Sequence, residues 1–268
     1  SKKHLMGAYH GGWSLGGFAG AGVLLVLLKI LSLPVNQSIW GLLIVLFIAM
    51  VVVSQFMLTF GSDPNAKVTK KSKSPLSFHP IALIFGLLSF VSYLVEGAVG
   101  DWSALYLFED KGILIEEAVM GVMLFNGTMC IGRLLGNRLG KHLTSKQVVV
   151  GGYLLGSIAM GLIVFLPGHA SMYTYLLLGI SLAMIVPNLF SAMGEQNVIP
   201  MTQAVATSTM LGYMGILMGP ALIGFIAHGT SLTVAFIVLT TLLVVSAGIG
   251  KYAYHLMSKD CGLSEEQI

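Results

Sequence analysis

Tyr93-Leu-Val-Glu-Gly-Ala-Val-Gly-Asp-Trp-Ser-Ala-Leu-Tyr106 lies inside an apolar run that reaches from Pro80 to Phe108, long enough to cross a bilayer. It nevertheless holds two carboxylates, Glu96 and Asp101. A charge at the centre of a spanning helix costs roughly 2.5–3.5 kcal/mol on insertion scales, so such groups are rare in hydrocarbon and tend to face water-filled pathways. On a straight helix, Glu96 shares a face with Ser89, Ser92, Tyr93, Gly100 and Ser103. That polar stripe predicts a cavity beside the helix. Gly97 and Gly100, between the two acids, predict a bend or unwound turn.

Composition extends the reading to the whole chain. Hydrophobic residues make up 56% of it and charged ones 9%, against about 25% charged in a soluble domain. The mean hydropathy is +0.88. These values specify an integral membrane protein, and the 33 glycines suit close helix packing in lipid. Cys130 and Cys261 lie far apart, one in an apolar run and one in the tail, and suggest neither a disulfide framework nor a metal site.

Eight apolar runs can be placed: Ala8–Leu31, Ile39–Phe60, Pro80–Phe108, Glu117–Leu139, Val148–Leu166, Tyr173–Met193, Ala204–His228 and Leu232–Tyr254. The longest polar connection, 61–77, contains Lys67, Lys70, Lys71 and Lys73. Lysine and arginine concentrate on alternate connections, which puts both ends of this chain and the 61–77 loop on the cytoplasmic side. The sequence opens on Ser1, with no initiator Met or leader pattern ahead of the apolar runs. Two spans before a basic loop and six after it therefore predict a chain lacking four N-terminal spans of a six-plus-six design. Gly12, Gly16 and Gly20 in the first run, and Gly215, Gly219 and Gly224 in the seventh, recur at four- or five-residue spacing. They read as packing glycines at equivalent places in two halves, and as sliding contacts between moving bundles.

Gly132-Arg-Leu-Leu-Gly-Asn-Arg-Leu-Gly-Lys141 resembles the loop motif between the second and third helices of each half in the major facilitator superfamily. Arg138, Gly140 and Lys141 match its core, and Asn137 stands where an acid is usual. Gly215-Ile-Leu-Met-Gly-Pro-Ala-Leu-Ile-Gly224 resembles the glycine-proline motif of the same superfamily. His10-Gly-Gly-Trp-Ser-Leu-Gly-Gly, Glu96-Gly-Ala-Val-Gly-Asp-Trp-Ser-Ala-Leu-Tyr and Val186-Pro-Asn-Leu-Phe-Ser are similar to the MosC-like branch, which is associated with rhizopine transport. The resemblance spans most of residues 9–254. It implies an all-α membrane fold with about eight of twelve helices here, beginning near the fifth. The expected parts are the last two N-terminal-half helices (1–60), a cytoplasmic loop (61–77), the six-helix C-terminal bundle (78–255) and a solvated tail (256–268).

For function, Glu96 is the prime candidate for a proton- or solute-binding group, since desolvation favours the neutral form of a carboxyl. The structural alternative is an acid satisfied by a neighbouring helix. Tyr93, Asn126 and Asn188 are the other pathway candidates; interhelical hydrogen bonding is the alternative for the two amides. Asp101, near the outer surface with Trp102 and Tyr106, reads as an outer-gate or interfacial group. Arg133 reads as a gate or structural pair, or a snorkelling cation. Arg138 and Lys141 are gate or structural charges through the motif above. His10, His79 and His228 stand at run ends and read as interface residues. No nucleotide loop, metal-ligand cluster or nucleophile–base arrangement is visible, so no cofactor and no enzymatic activity are expected. The predicted partners are the bilayer, a small polar solute and a coupled proton, with no nucleic acid; the branch resemblance implies a sugar-like or inositol-derived solute. The expected location is a bacterial inner membrane. Efflux by the same fold and a non-transporting sensor or assembly protein are the rival functions.

Overall fold

A computed structural model describes residues 3–56, 76–139 and 143–261, with side chains for those from residue 12 onward except 13, 14 and 137–139. The described residues form α1 (Lys3–Leu25), continued by a π-helical turn at Val26–Ile30, then α2 (Val35–Ser54), α3 (Pro80–Glu109), α4 (Ile115–Leu139) and α5 (Ser145–Phe165). They end with α6 (Gly168–Leu182), α7 (Ile185–Glu195), α8 (Met201–Gly229) and α9 (Leu232–Cys261). The chain divides into two compact units, one of residues 1–21 with 75–268 and one of residues 22–74.

Among the described residues, seven spans, those of α2, α3, α4, α5, α6 with α7, α8 and α9, are long and apolar enough to cross a membrane. The protein is an integral membrane protein. The first predicted span differs: only Leu15–Ile30 of that helical run is strongly apolar, because Tyr9, His10, Gly11, Gly12 and Ser14 dilute its beginning. The sixth also differs. It is interrupted at Ala183-Met184, four residues before Pro187, whose ring removes the N–H that would close on Ala183. At the far end, α9 runs on to Cys261 and buries Met257, where composition suggests a solvated tail from residue 256.

In the smaller unit the π-turn closes through Leu31 N–H to Val26 O at 3.0 Å, and Pro34 starts α2 with its fixed φ of −57°. In the larger unit the core is built from α3 outward. Its most extensive partner is α8. A Cβ on Gly215 would strike Phe90 O, and one on Gly219 would lie 2.9 Å from Leu94 O, so these two helices touch backbone to backbone. Glycine on α3 answers glycine on α8: a Cβ on Gly97 would lie 3.3 Å from Ile216 O. That carbonyl is the one Pro220 leaves without its in-helix donor. Here the unwound turn, one of the two expectations for this stretch, is overturned. α3 is one continuous helix through Gly97 and Gly100, because Gly97 is used for close approach rather than for unwinding.

Helix starts follow local chemistry. Pro80 occupies the first turn of α3 after His79. At α5, Thr144 accepts from Gln147 N at 3.2 Å while Gln147 Oε1 accepts from Thr144 N at 3.0 Å, a reciprocal capping box. Thr144→Ala should cost about 1 kcal/mol of stability. Thermal unfolding in detergent checks this, and an unchanged midpoint would show that tertiary packing alone holds the start of α5.

Candidate functional site

The polar side chains of α3 turn toward several different neighbours. Ser92 Oγ meets Tyr153 Oη of α5 at 2.8 Å, and the same phenol donates to Leu88 O at 2.7 Å. Tyr93 stacks on Tyr213 of α8, with ring centroids 5.7 Å apart and 13° between planes, and packs against Val186 and Phe190 of α7. Ser89 and Ser103 return their hydroxyls to the carbonyls one turn back, Phe85 O and Val99 O. Glu96 turns to α4.

There its Oε1 accepts from Arg133 Nη2 at 2.9 Å. Arg133 is 1% exposed and Glu96 9%, so both charges are taken almost wholly out of solvent. Such a pair is stabilising only against the loss of one partner, because each ion alone in a low-dielectric interior is costly. The guanidinium also donates from Nε to Ala183 O at 3.3 Å. Ala183 stands at the interruption between α6 and α7, and its carbonyl is the one deprived of a helical partner by Pro187. Close approach makes the reach possible. A Cβ on Gly132 would lie 2.6 Å from Ala183 Cβ, so α4 lies directly against the break with Arg133 one residue on. One arginine thus joins α3, α4 and the broken sixth span.

Among the other candidates, Asn126 donates to Val122 O at 3.0 Å, and its Oδ1 would lie 2.8 Å from a Cβ on Gly17. Asn188 is drawn to the end of the bundle. Its Nδ2 donates to Met184 O at 2.8 Å, its Oδ1 accepts from Ser145 Oγ at 3.2 Å, and that hydroxyl meets Tyr254 Oη at 3.0 Å. It thereby ties α7 to the start of α5 and to α9. Asp101 is exposed on α3. Gly224 sits under the Trp102 ring, whereas a Cβ on Gly12, Gly16 or Gly20 would meet nothing within 4 Å. The side chains of Arg138 and Lys141 lie outside the described residues, as does the side chain of His10.

The opposite end of the bundle has its own polar set. Trp102 Nε1 donates to Pro220 O at 3.0 Å, and beside it a cleft of about 390 Å³ is lined by Glu109, Asp110 and His228. Asp110 Oδ1 accepts from Thr233 Oγ1 at 2.8 Å. Lys111 Nζ donates to Val164 O at 2.6 Å, near the last turn of α5, and lies 5.3 Å from the Tyr106 ring centre. Burial pushes the Lys111 pKa down, opposed by the Asp110 carboxylate. Among the described residues no group of His, Cys, Asp and Glu is placed to hold a metal ion.

Sequence reading missed Tyr153, Tyr254 and Ser145. The available signal was general: a phenol in an apolar run needs a hydrogen-bond partner when buried. It also missed that Glu96 and Arg133 are partners, although two lone opposite charges in successive apolar runs invite pairing.

No protein-family profile matches this chain. It is 36% identical over 252 residues to an uncharacterized MFS-type transporter of Yersinia pestis, covering 92% of this chain and 63% of that protein. It is 30% identical over 170 residues to the membrane protein MosC of Rhizobium meliloti, covering 62% of this chain and 42% of that protein. An uncharacterized transporter of Sinorhizobium fredii is 28% identical over 159 residues, covering 58% of this chain and 41% of that protein. The chain spans less than two thirds of the length of these curated relatives. The all-helical membrane architecture, the glycine-lined helix pair and these likenesses agree, and the chain belongs to the major facilitator superfamily, in its MosC-like branch.

Proposed function

We propose that this chain is part of a secondary active transporter that moves a small polar solute by alternating access, with Glu96 and Arg133 as the charge pair that the cycle opens and closes. The observation that supports this reading is the burial of both ions against each other at the meeting of α3, α4 and the broken sixth span. An ion pair of this kind is a two-state element. Protonation of Glu96 removes the charge–charge attraction, and a solute hydroxyl competing for the carboxylate weakens it; either leaves Arg133 to re-pair elsewhere. A proton is accordingly the proposed coupling ion. The solute class is sugar-like or inositol-derived, the membrane is the bacterial cytoplasmic membrane, and both ends of this chain face the cytoplasm, in keeping with the lysine and arginine bias of its loops.

The test uses the full-length protein in liposomes with an imposed pH gradient and labelled myo-inositol as the probe solute. Wild-type uptake should rise with an inward proton gradient. Glu96→Gln keeps the volume and one hydrogen-bond acceptor but cannot change charge, so it should lose at least about tenfold of the gradient-driven rate while retaining solute exchange. Gradient-driven uptake by Glu96→Gln equal to that of the parent would remove Glu96 from the coupling step. Binding without exchange would favour the sensor reading over the carrier.

A further inference from the structure

We infer that Pro187 is a positioning residue for the charge pair: by withholding an N–H from Ala183 it leaves a carbonyl for Arg133, and that carbonyl sets the guanidinium against Glu96. This rests on the proposed role of the pair but concerns a different residue, on a different helix.

Four observations converge. The sixth span is interrupted at Ala183-Met184, and regular bonding resumes with Asn188 N–H to Met184 O at 3.2 Å. The single carbonyl that proline at 187 must strand in an α-helix is that of Ala183. Arg133 Nε reaches this carbonyl at 3.3 Å while Nη2 reaches Glu96 at 2.9 Å. The ground is prepared by glycine, since Gly132 brings α4 to within side-chain-free distance of Ala183. A guanidinium has five N–H groups in a fixed plane, so anchoring Nε on one side fixes where Nη2 points. An ammonium has no such second edge. A lysine at 133 could meet Glu96 or Ala183 O, but not hold one while presenting itself to the other.

The consequence is mechanical as well as geometric. α7 begins at the break and holds Asn188, whose amide joins Ser145 and Tyr254 at the end of the bundle. When Arg133 leaves Glu96, its grip on Ala183 O still ties α4 to the pivot of α7. Movement at the pair is thereby passed to the end of the bundle through the first turn of α7.

Cys130 supplies the readout. It is 6% exposed and lies one turn before Arg133 on the same face of α4. In the full-length protein in membrane vesicles, with every other cysteine changed to serine, the rate of N-ethylmaleimide labelling at Cys130 reports how firmly that face is held. Pro187→Ala restores the N–H that competes for Ala183 O and should speed labelling about tenfold, and Arg133→Lys should do the same. Because both act on one bond, the double variant should label no faster than the quicker single one. Two outcomes overturn the inference: Pro187→Ala within about twofold of the parent, or singles that multiply to about a hundredfold in the double variant, as independent packing defects would. If Pro187→Ala does not accumulate, Pro187→Gly restores the same N–H without a new side chain and is held to the same outcomes. The uptake behaviour of Glu96→Gln is independent of this cycle, so transport coupling and arginine positioning stand or fall separately.

Discussion

Arg133→Ala should be the most damaging single substitution of a charged residue in the bundle. It leaves Glu96 ionised or forced neutral in a site 9% exposed, and it strands Ala183 O at a helix break. Removing one partner of a buried pair costs about 3–5 kcal/mol, and the variant should melt far below the parent in detergent or fail to accumulate. Removing both charges is a different experiment. Glu96→Leu with Arg133→Met replaces the pair by apolar side chains of similar length, an exchange that is often neutral or stabilising. The double variant should therefore recover most of the lost stability while showing no gradient-driven uptake. If it is as unstable as Arg133→Ala, the carbonyl bond outweighs the ion pair. If it transports like the parent, the charges hold the fold and nothing more.

Gly215→Leu should be comparably severe for a steric reason. Even a methyl there would strike Phe90 O on α3, with Phe90 C at 2.9 Å and Leu94 N at 3.1 Å behind it. Backbone cannot step aside as a side-chain tip can, so the two helices must separate along their whole contact. Overpacking in a dense core costs about 1–3 kcal/mol where side chains can yield, and this site lies above that range. Gly248→Leu on α9 is the control, because nothing lies within 4 Å of its added Cβ. It should change stability by under about 0.5 kcal/mol or raise it slightly through helix propensity. The comparison is made by melting in detergent. Equal tolerance of leucine at 215 and 248 would mean that the α3–α8 contact is looser than its backbone separation indicates.

The spans were legible because hydrocarbon imposes a length and a composition that few other environments demand. Pro187 is incompatible with a regular helix, and the break lies one turn upstream, where the lost hydrogen bond falls. The misreadings have a common origin. Gly97 is equally compatible with an unwound turn and with close packing, and only the partner helix decides; Ile216 O beside it decided for packing. The stripe of Ser89, Ser92, Tyr93, Glu96 and Ser103 was correctly polar, yet periodicity cannot say whether a stripe faces water or several donors and acceptors. Glu96 and Arg133 were picked out singly, 37 positions apart. Their pairing depends on the rotation of α3 and α4 about their own axes, which no one-dimensional pattern encodes. For Asn188 the sequence left solute contact and interhelical hydrogen bonding open, and the partner its amide reaches, Ser145, has no distinguishing mark in the sequence.

The backbone contact between α3 and α8 has a kinematic corollary. Surfaces that interlock carbonyl against Cα have no smooth track, so these two helices make a stiff plate instead of the slide that glycine spacing suggests. Any rearrangement that displaces Glu96 transports Tyr213 with it, and the yielding seams must lie on other sides of the plate. Spin labels on the two helices would then keep a constant separation throughout turnover.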